Sequence, residues 1–251
     1  MRLTFLGTGS AMPLPDRAQT GYLLERDGDD RRLLVDCGAG VLHRLAATDA
    51  GYEGVSTVLL THHHLDHVSD LLPLLKARWL AGEEHLEVVG PRGTKALVDG
   101  LLDVHDYLDG RVDLRVREVG PHDFSVAGFD VDAHETRHSV DGLAYRFAGA
   151  GDAGDLTLSS DTEAFEGLAA FADGSAVLVH DCSFPDDVNV SNHPTPSALG
   201  DVLAGHDYGR VYLTHLYPHT EGRHDEMLSA VETRVGGDVR MARDGLRVAI
   251  K

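Results

Sequence analysis

The chain has 251 residues, of which 22 are Lys or Arg and 41 are Asp or Glu, for a net charge of −19 at neutral pH. Its 42 % hydrophobic and 25 % charged residues are the balance of an ordinary soluble globular protein, and no apolar run approaches the roughly 20 residues that span a bilayer. So acidic a balance excludes strong non-specific binding to nucleic acid at ordinary salt.

The opening, MRLTFLGTGSAMP, has too short an apolar stretch for a secretion signal and reads as a first strand at 2–6, which makes the cytoplasm the expected location. Strands at 21–26 and 32–37 follow, then a helix at 39–48 and a strand at 56–61. A helix is expected over 66–81, where Val68, Leu71, Leu72, Leu75 and Trp79 fall on one face. A strand at 86–89 and a helix at 92–102 come next, then four strands at 113–119, 129–133, 142–147 and 156–160. The remainder alternates: helix 163–171, strand 176–180, helix 196–205, strand 210–214, helix 223–235, and a bent pair of strands over 239–250. Thr195-Pro196 supplies an N-cap and a first-turn proline for the helix at 196–205. Twelve strands among six helices mean α/β layers, and with neither linker nor repeat a single domain over 1–251 is expected.

Two cysteines, Cys37 and Cys182, make neither a disulfide framework nor a four-cysteine zinc site. Each follows an aspartate at an expected strand end and reads as a buried free thiol. Only three basic residues are lysines (Lys76, Lys95, Lys251), and the acids are spread along the chain. That surface suits a salt-rich cytoplasm, where a Debye length of about 3 Å at 1 M screens self-repulsion. A halophilic source is the expectation; an ordinary acidic protein from a GC-rich genome is the alternative.

The chemistry concentrates in Thr61-His62-His63-His64-Leu65-Asp66-His67. If the strand at 56–61 runs on, His62 and His64 share a face and His63 turns away. Asp66 and His67 open the next helix and reach back toward the same point. Four nitrogen and oxygen donors so spaced suit Zn²⁺ better than Mg²⁺ or Ca²⁺. A second candidate, His134-Glu135-Thr136-Arg137-His138, matches the HExxH zinc-peptidase motif letter for letter, but that motif works only on a helix. Phe129, Val131 and Ala133 alternate with Asp130 and Asp132, so a strand leads into it and no peptidase site is expected.

His62-x-His64-x-Asp66-His67, between a strand and a helix, resembles the metal-binding motif of the metallo-β-lactamase superfamily. Phe5-Leu6-Gly7-Thr8-Gly9-Ser10 and Val35-Asp36-Cys37-Gly38 resemble its first strands, and the similarity covers nearly the whole chain. The resemblance implies an α/β fold, a four-layer αββα sandwich, with a two-metal site at the edge of the sheets. It implies His138 as the fourth ligand, Asp161 as the bridging aspartate and His215 as the last ligand. One ion would then lie on His62, His64 and His138, the other on Asp66, His67 and His215, with Asp161 between them. Two Zn²⁺ per chain are implied, with Mn²⁺ as the alternative.

Val179-His180-Asp181-Cys182-Ser183-Phe184-Pro185, followed by Asn192-His193-Pro194-Thr195, resembles the ribonuclease Z-like phosphodiesterase branch. There an acidic residue orients a non-ligand histidine beside the scissile phosphate; Asp181 and His193 hold those places here, where the branch often has glutamate for the acid. A carboxylate that fixes an imidazole also raises its pKa, and the imidazolium can protonate a leaving oxygen or stabilise phosphorane charge. Asp66 is expected to accept a proton from the attacking water. The competing reading of His193 is a cap on the helix at 196–205.

Bacterial ribonuclease Z enzymes carry a tRNA-gripping arm between the fourth ligand and the bridging aspartate. Here His138 and Asp161 are separated by enough chain for two strands and a turn only, which is closer to the arm-less cyclic-phosphate phosphodiesterases of the branch. The expectation is a metal-dependent phosphodiesterase for a small, cyclic or short nucleic-acid substrate, without membrane association; a homodimer is compatible with it. The rivals are a ribonuclease Z-type endoribonuclease, a lactonase or other carboxylic-ester hydrolase, and an inactive metal-bound scaffold.

Overall fold

The computed structural model describes residues 1–251 except Asp27, Asp29, Asp152 and Asn189. Two seven-stranded sheets stack face to face. The first has the order β14-β1-β2-β3-β4-β5-β6, from Arg247–Ala249, Arg2–Gly7, Gly21–Glu25, Arg32–Val35, Thr57–Leu59, His85–Gly90 and Asp113–Glu118. The second has the order β13-β12-β11-β10-β9-β8-β7, from Asp238–Met241, Arg210–Thr214, Val177–Asp181, Leu156–Leu158, Leu143–Phe147, Phe129–Glu135 and Phe124–Val126. In each sheet one half is antiparallel and the other parallel.

Strand alternation assigns the side chains to layers. Tyr22, Leu24, Leu33 and Val35 of the first sheet meet Val179, Tyr212, Tyr145 and Phe147 of the second in the central core. Leu23, Leu34 and Val58 turn outward under α1 (Val41–Ala46), α3 (Leu71–Ala81) and α4 (Thr94–Val104). Leu178, Val211 and Leu213 turn outward under α6 (Pro196–Leu203) and α7 (His224–Val235). Covered on both faces, these strands read as near-continuous apolar runs, and each fully buried leucine contributes about 1.5–3 kcal/mol. The four layers are the expected αββα order.

The differences from the sequence reading have local causes. The helix expected over 66–81 is broken into α2 (Leu65–Val68) and α3. At the break the Asp70 N–H turns to the Cys37 carbonyl at 2.8 Å, and the Asp70 carboxylate accepts from Leu42 N at 2.9 Å. The bent pair over 239–250 is not a hairpin: β13 edges one sheet and β14 the other. β7 was not expected, being only three residues long. Thr195 does precede α6, but its side chain makes no cap bond; Asp186 accepts from Ser197 N at 2.9 Å instead. Both cysteines are buried and free, and burial pushes their thiols well above the ordinary range. Among the described residues no helix is long and apolar enough to cross a membrane.

Candidate metal centre

The centre lies where open α/β sheets place ligands, at the carboxyl ends of parallel strands. β3 delivers Asp36, and β4 delivers Thr61, His62 and His64 just past its end. α2 adds Asp66 and His67. From the facing sheet β10 leads to Ser160 and Asp161, β11 ends on Asp181 and leads to Ser183, and β12 leads to His215. His138 and His193 come from the loops after β8 and before α6 (α5 is Glu166–Ala172). Gly38 lets these pieces meet: a Cβ there would fall 2.0 Å from the Asp66 carbonyl oxygen.

The strand at β4 stops at Leu59, short of the expected 61, yet the backbone stays extended at His64. His62 and His64 therefore converge, while His63 turns to Thr94 Oγ1 at 2.8 Å. His64 Nδ1 lies 3.2 Å from His62 Nε2 and 3.1 Å from His138 Nε2. Asp161 Oδ2 stands 3.7 Å from His62 Nε2 and 4.0 Å from His138 Nε2. In a second group, His215 Nε2 is 3.1 Å from both Asp66 Oδ2 and Asp161 Oδ2, and His67 Nε2 is 3.3 Å from Asp161 Oδ1. Donors on a tetrahedral Zn²⁺ stand about 3.3 Å apart, from metal–nitrogen bonds of about 2.0–2.1 Å. The contacts in both groups run from 3.1 to 4.0 Å, bracketing that spacing, and the groups share Asp161.

The remaining ring nitrogens show that these are lone pairs turned inward. His67 Nδ1 meets Asp36 Oδ2 at 2.8 Å, and Thr61 donates to the same carboxylate from N and Oγ1, each at 2.8 Å. With its proton committed to Asp36, Thr61 Oγ1 accepts from His62 Nδ1 at 3.1 Å. His138 Nδ1 donates to the Asn192 carbonyl at 3.0 Å. Each contact places a proton on Nδ1 and turns Nε2 toward the donor groups, where it can bind an ion once it carries no proton of its own. His67 Nε2 is buried with no hydrogen-bond partner, an arrangement a cation would satisfy.

Charge follows the same plan. Burial opposes ionisation of Asp161, but His215 and His67 hold its carboxyl well below the usual range. Burial opposes protonation of His67, and the Asp161 and Asp36 carboxylates override it and raise the ring's pKa. His62 has its pKa driven well below the ordinary value by burial and then by its histidine neighbours.

His193 belongs to neither of these groups, but with Asp181 and His215 it forms a third cluster whose donor atoms lie within 4.8 Å of one another. Its Nδ1 donates to Asp181 Oδ2 at 2.7 Å, and its ring lies 5.0 Å from His138 and 5.3 Å, stacked, from His215. Burial disfavours its charge, but Asp181 outweighs burial and raises the pKa to about 9. Among the described residues its ring is hydrogen-bonded to Asp181 and Ser183, and the N-cap position of α6 is held by Thr195. Phe184 and Tyr217 stack at 4.4 Å beside it.

Four of the five non-glycine residues with positive φ among those described border this centre: Asp36, Ser160, Asn192 and His215. Such conformations cost about 1–3 kcal/mol each and persist where surrounding contacts over-determine them. The HExxH stretch does not form a site: His134 lies in β8 opposite Ala144, with Nδ1 on the Glu135 carbonyl at 2.8 Å and its ring against Phe171. Sequence reasoning missed Thr61, Ser183, Asn192 and Tyr217 as parts of the centre, and it saw Asp36 only as a strand-end turn. The visible signal was the repeated Asp-Cys at two strand ends; nothing local marks the others.

The family model described as "Anti-Pycsar protein Apyc1" matches residues 1–228. A ribonuclease Z of Mycobacterium marinum is 30 % identical over 291 aligned positions, covering 100 % of this chain and 99 % of the relative. The alignment is longer than this chain, so that relative has residues with no counterpart here. Among solved structures, the metallo-β-lactamase fold protein YhfI from Bacillus subtilis superposes with a TM-score of 0.84 at 24 % identity, covering 98 % of each chain. A diphosphatase of the PhnP family superposes with a TM-score of 0.74 at 18 % identity, covering 100 % of this chain and 98 % of that one. Motif order, the paired donor groups and these matches agree: the chain belongs to the family of the anti-Pycsar protein Apyc1, within the ribonuclease Z-like branch of the metallo-β-lactamase superfamily.

Proposed function

We propose that the protein is a single-domain, dinuclear metal-dependent phosphodiesterase of the cytoplasm, acting on a small or cyclic phosphodiester or a short nucleic acid. One ion would be held by His62, His64 and His138, the other by Asp66, His67 and His215, with Asp161 shared. Nitrogen-rich donor sets favour Zn²⁺, with Mn²⁺ as the alternative. When bound, the two ions supply Lewis-acid polarisation of the phosphoryl oxygens and a water that ionises near pH 7.

The chain's own residues supply the rest. Asp66 accepts the proton of the attacking water. Asp181 fixes the His193 ring by its Nδ1 proton, which leaves the Nε2 proton for the leaving oxygen. His193 also places positive charge where the phosphorane becomes more negative.

The observation that carries this reading is the 2.7 Å contact between His193 and Asp181, set beside both donor groups. Ester or lactone hydrolysis on the same scaffold has no evident use for that pair. Against tRNA as substrate, the chain between His138 and Asp161 is taken up by β9, β10 and their connection, and the charge of −19 weakens counterion-release binding. The test is a turnover panel of bis-p-nitrophenyl phosphate, cyclic nucleotides, pre-tRNA and a lactone, with Zn²⁺ or Mn²⁺. Faster turnover of small phosphodiesters supports the reading; a lactone as the best substrate refutes it.

A further inference from the structure

Ser183 is fully buried between the acid pair and the second donor group. Its Oγ lies 2.5 Å from Asp181 Oδ1, 2.9 Å from His215 Nδ1, 3.0 Å from the His215 carbonyl and 3.4 Å from His193 Nδ1. The hydroxyl has one proton to give, and the carboxylate is both the nearest and the charged acceptor, so it takes that proton. The oxygen is then left to accept from His215 Nδ1–H. That fixes the His215 tautomer and turns its Nε2 lone pair toward Asp66 and Asp161.

We propose that Ser183 is a positioning residue that ties His215 to Asp181, so that one carboxylate governs both the proton donor and a ligand of the second ion. The inference rests on the reading of His215 as a ligand. A second observation supports it: Thr61 makes the same connection in the other sheet, donating to Asp36 at 2.8 Å and accepting from His62 at 3.1 Å. Burial matters here, because no solvent reaches Ser183 to replace the bond, and an unfixed imidazole loses part of its time to the wrong tautomer.

The experiment is Zn²⁺ titration against a chromogenic chelator for the wild type, Ser183→Ala, Ser183→Thr and His215→Ala, with the histidine ring tautomers read by ¹⁵N NMR. Ser183→Ala is expected to weaken one ion by about 10- to 100-fold and leave the other unchanged, the usual effect of losing an outer partner. Its His215 signal should shift from a pure Nδ1–H form to a mixture. Ser183→Thr keeps the hydroxyl and should restore both readouts. If Ser183→Ala does not fold, Ser183→Cys takes its place, since a thiol accepts hydrogen bonds only weakly, and it should show the same single-ion loss. Two ions bound as in the wild type by the Ala or Cys variant, while His215→Ala loses one, would overturn the relay and leave the ligand set standing. Two ions retained by His215→Ala would overturn the ligand reading itself.

Discussion

The two sheets support the centre with the same device, put to different use. In the first sheet Asp36 binds one histidine directly, His67, and a second, His62, through the Thr61 hydroxyl. In the second sheet Asp181 binds His193 directly and His215 through the Ser183 hydroxyl. Both histidines on Asp36 face the donor groups, whereas only one on Asp181 does. His193 has the same kind of partner as His67 but is placed beside the two groups and not within them. A carboxylate behind an imidazole therefore does not identify a ligand. Under the proposed function, position separates the imidazole that would hold an ion from the one that would deliver a proton.

The largest effect should come from the first sheet. Asp36→Asn keeps the shape and suits the positive φ of 58°, yet it removes the charge behind His62 and His67 together. Each lost outer partner weakens binding by about 10- to 100-fold, so chelator competition should show both ions weakened. Unchanged affinity for either ion would break the comparison.

Next comes His193→Ala. Both ions should remain at wild-type affinity, while turnover of phosphodiesters with alkoxide leaving groups falls about 100-fold or more, as for a lost proton donor. Loss of an ion would make His193 a ligand and erase the distinction between the two carboxylates.

Asp181→Asn should have a smaller effect on rate, about 10- to 100-fold, and should weaken one ion only. That single-ion loss, set against the double loss in Asp36→Asn, sharpens the contrast. The same variant changes the pH profile. Asp181 raises the His193 pKa from 6.5 to about 9, so the charged ring persists below that value and is lost as pH rises through it. Turnover with poor leaving groups should fall on that alkaline limb, and in Asp181→Asn the limb should move down toward the ordinary histidine value of about 6.5. The pair's contribution to stability has the same sign: present in full below about 6.5 and lost as pH rises through about 9.

The smallest effect separates buried from exposed charge. If the net charge of −19 reflects adaptation to salt, the melting temperature should rise between 0.1 and about 2 M KCl, because exposed repulsion is screened and the buried carboxylate pairs scarcely are. A flat or falling melting temperature would remove salt adaptation as the reason for the acidity.

Much of this was legible in the sequence for definable reasons. Strand alternation and the closely spaced donors at 62–67 carry local information, so the α/β layering and the inward turn of His62 and His64 could be read directly, whereas the four-layer order came from resemblance. His138, Asp161 and His215 were reached through resemblance, since nothing in their own neighbourhoods singles them out. Asp181 was likewise reached through resemblance, while the Asp-Cys dipeptide at 36–37 drew attention for its thiol and its turn, and the carboxylate of Asp36 was the part that belongs to the centre. Thr61, Ser183 and Asn192 stayed hidden because each acts through one hydroxyl or carbonyl across a tertiary contact. The break at Ser69 and Asp70 was equally invisible: Asp70 gives up helix continuity for partners at Cys37 and Leu42, residues of a separate segment.

In the proposed function His193 delivers a proton to a phosphodiester and holds no ion. The most direct measurement is the dependence of turnover on leaving-group pKa for the wild type and His193→Ala, across aryl and alkyl phosphodiesters at saturating metal. Proton delivery by His193 predicts two lines that nearly meet at p-nitrophenolate, which scarcely needs protonation, and diverge by about two orders of magnitude at alkoxide leaving groups. Parallel lines, with an equal deficit at every leaving group, would contradict proton delivery and leave His193 only the task of stabilising charge.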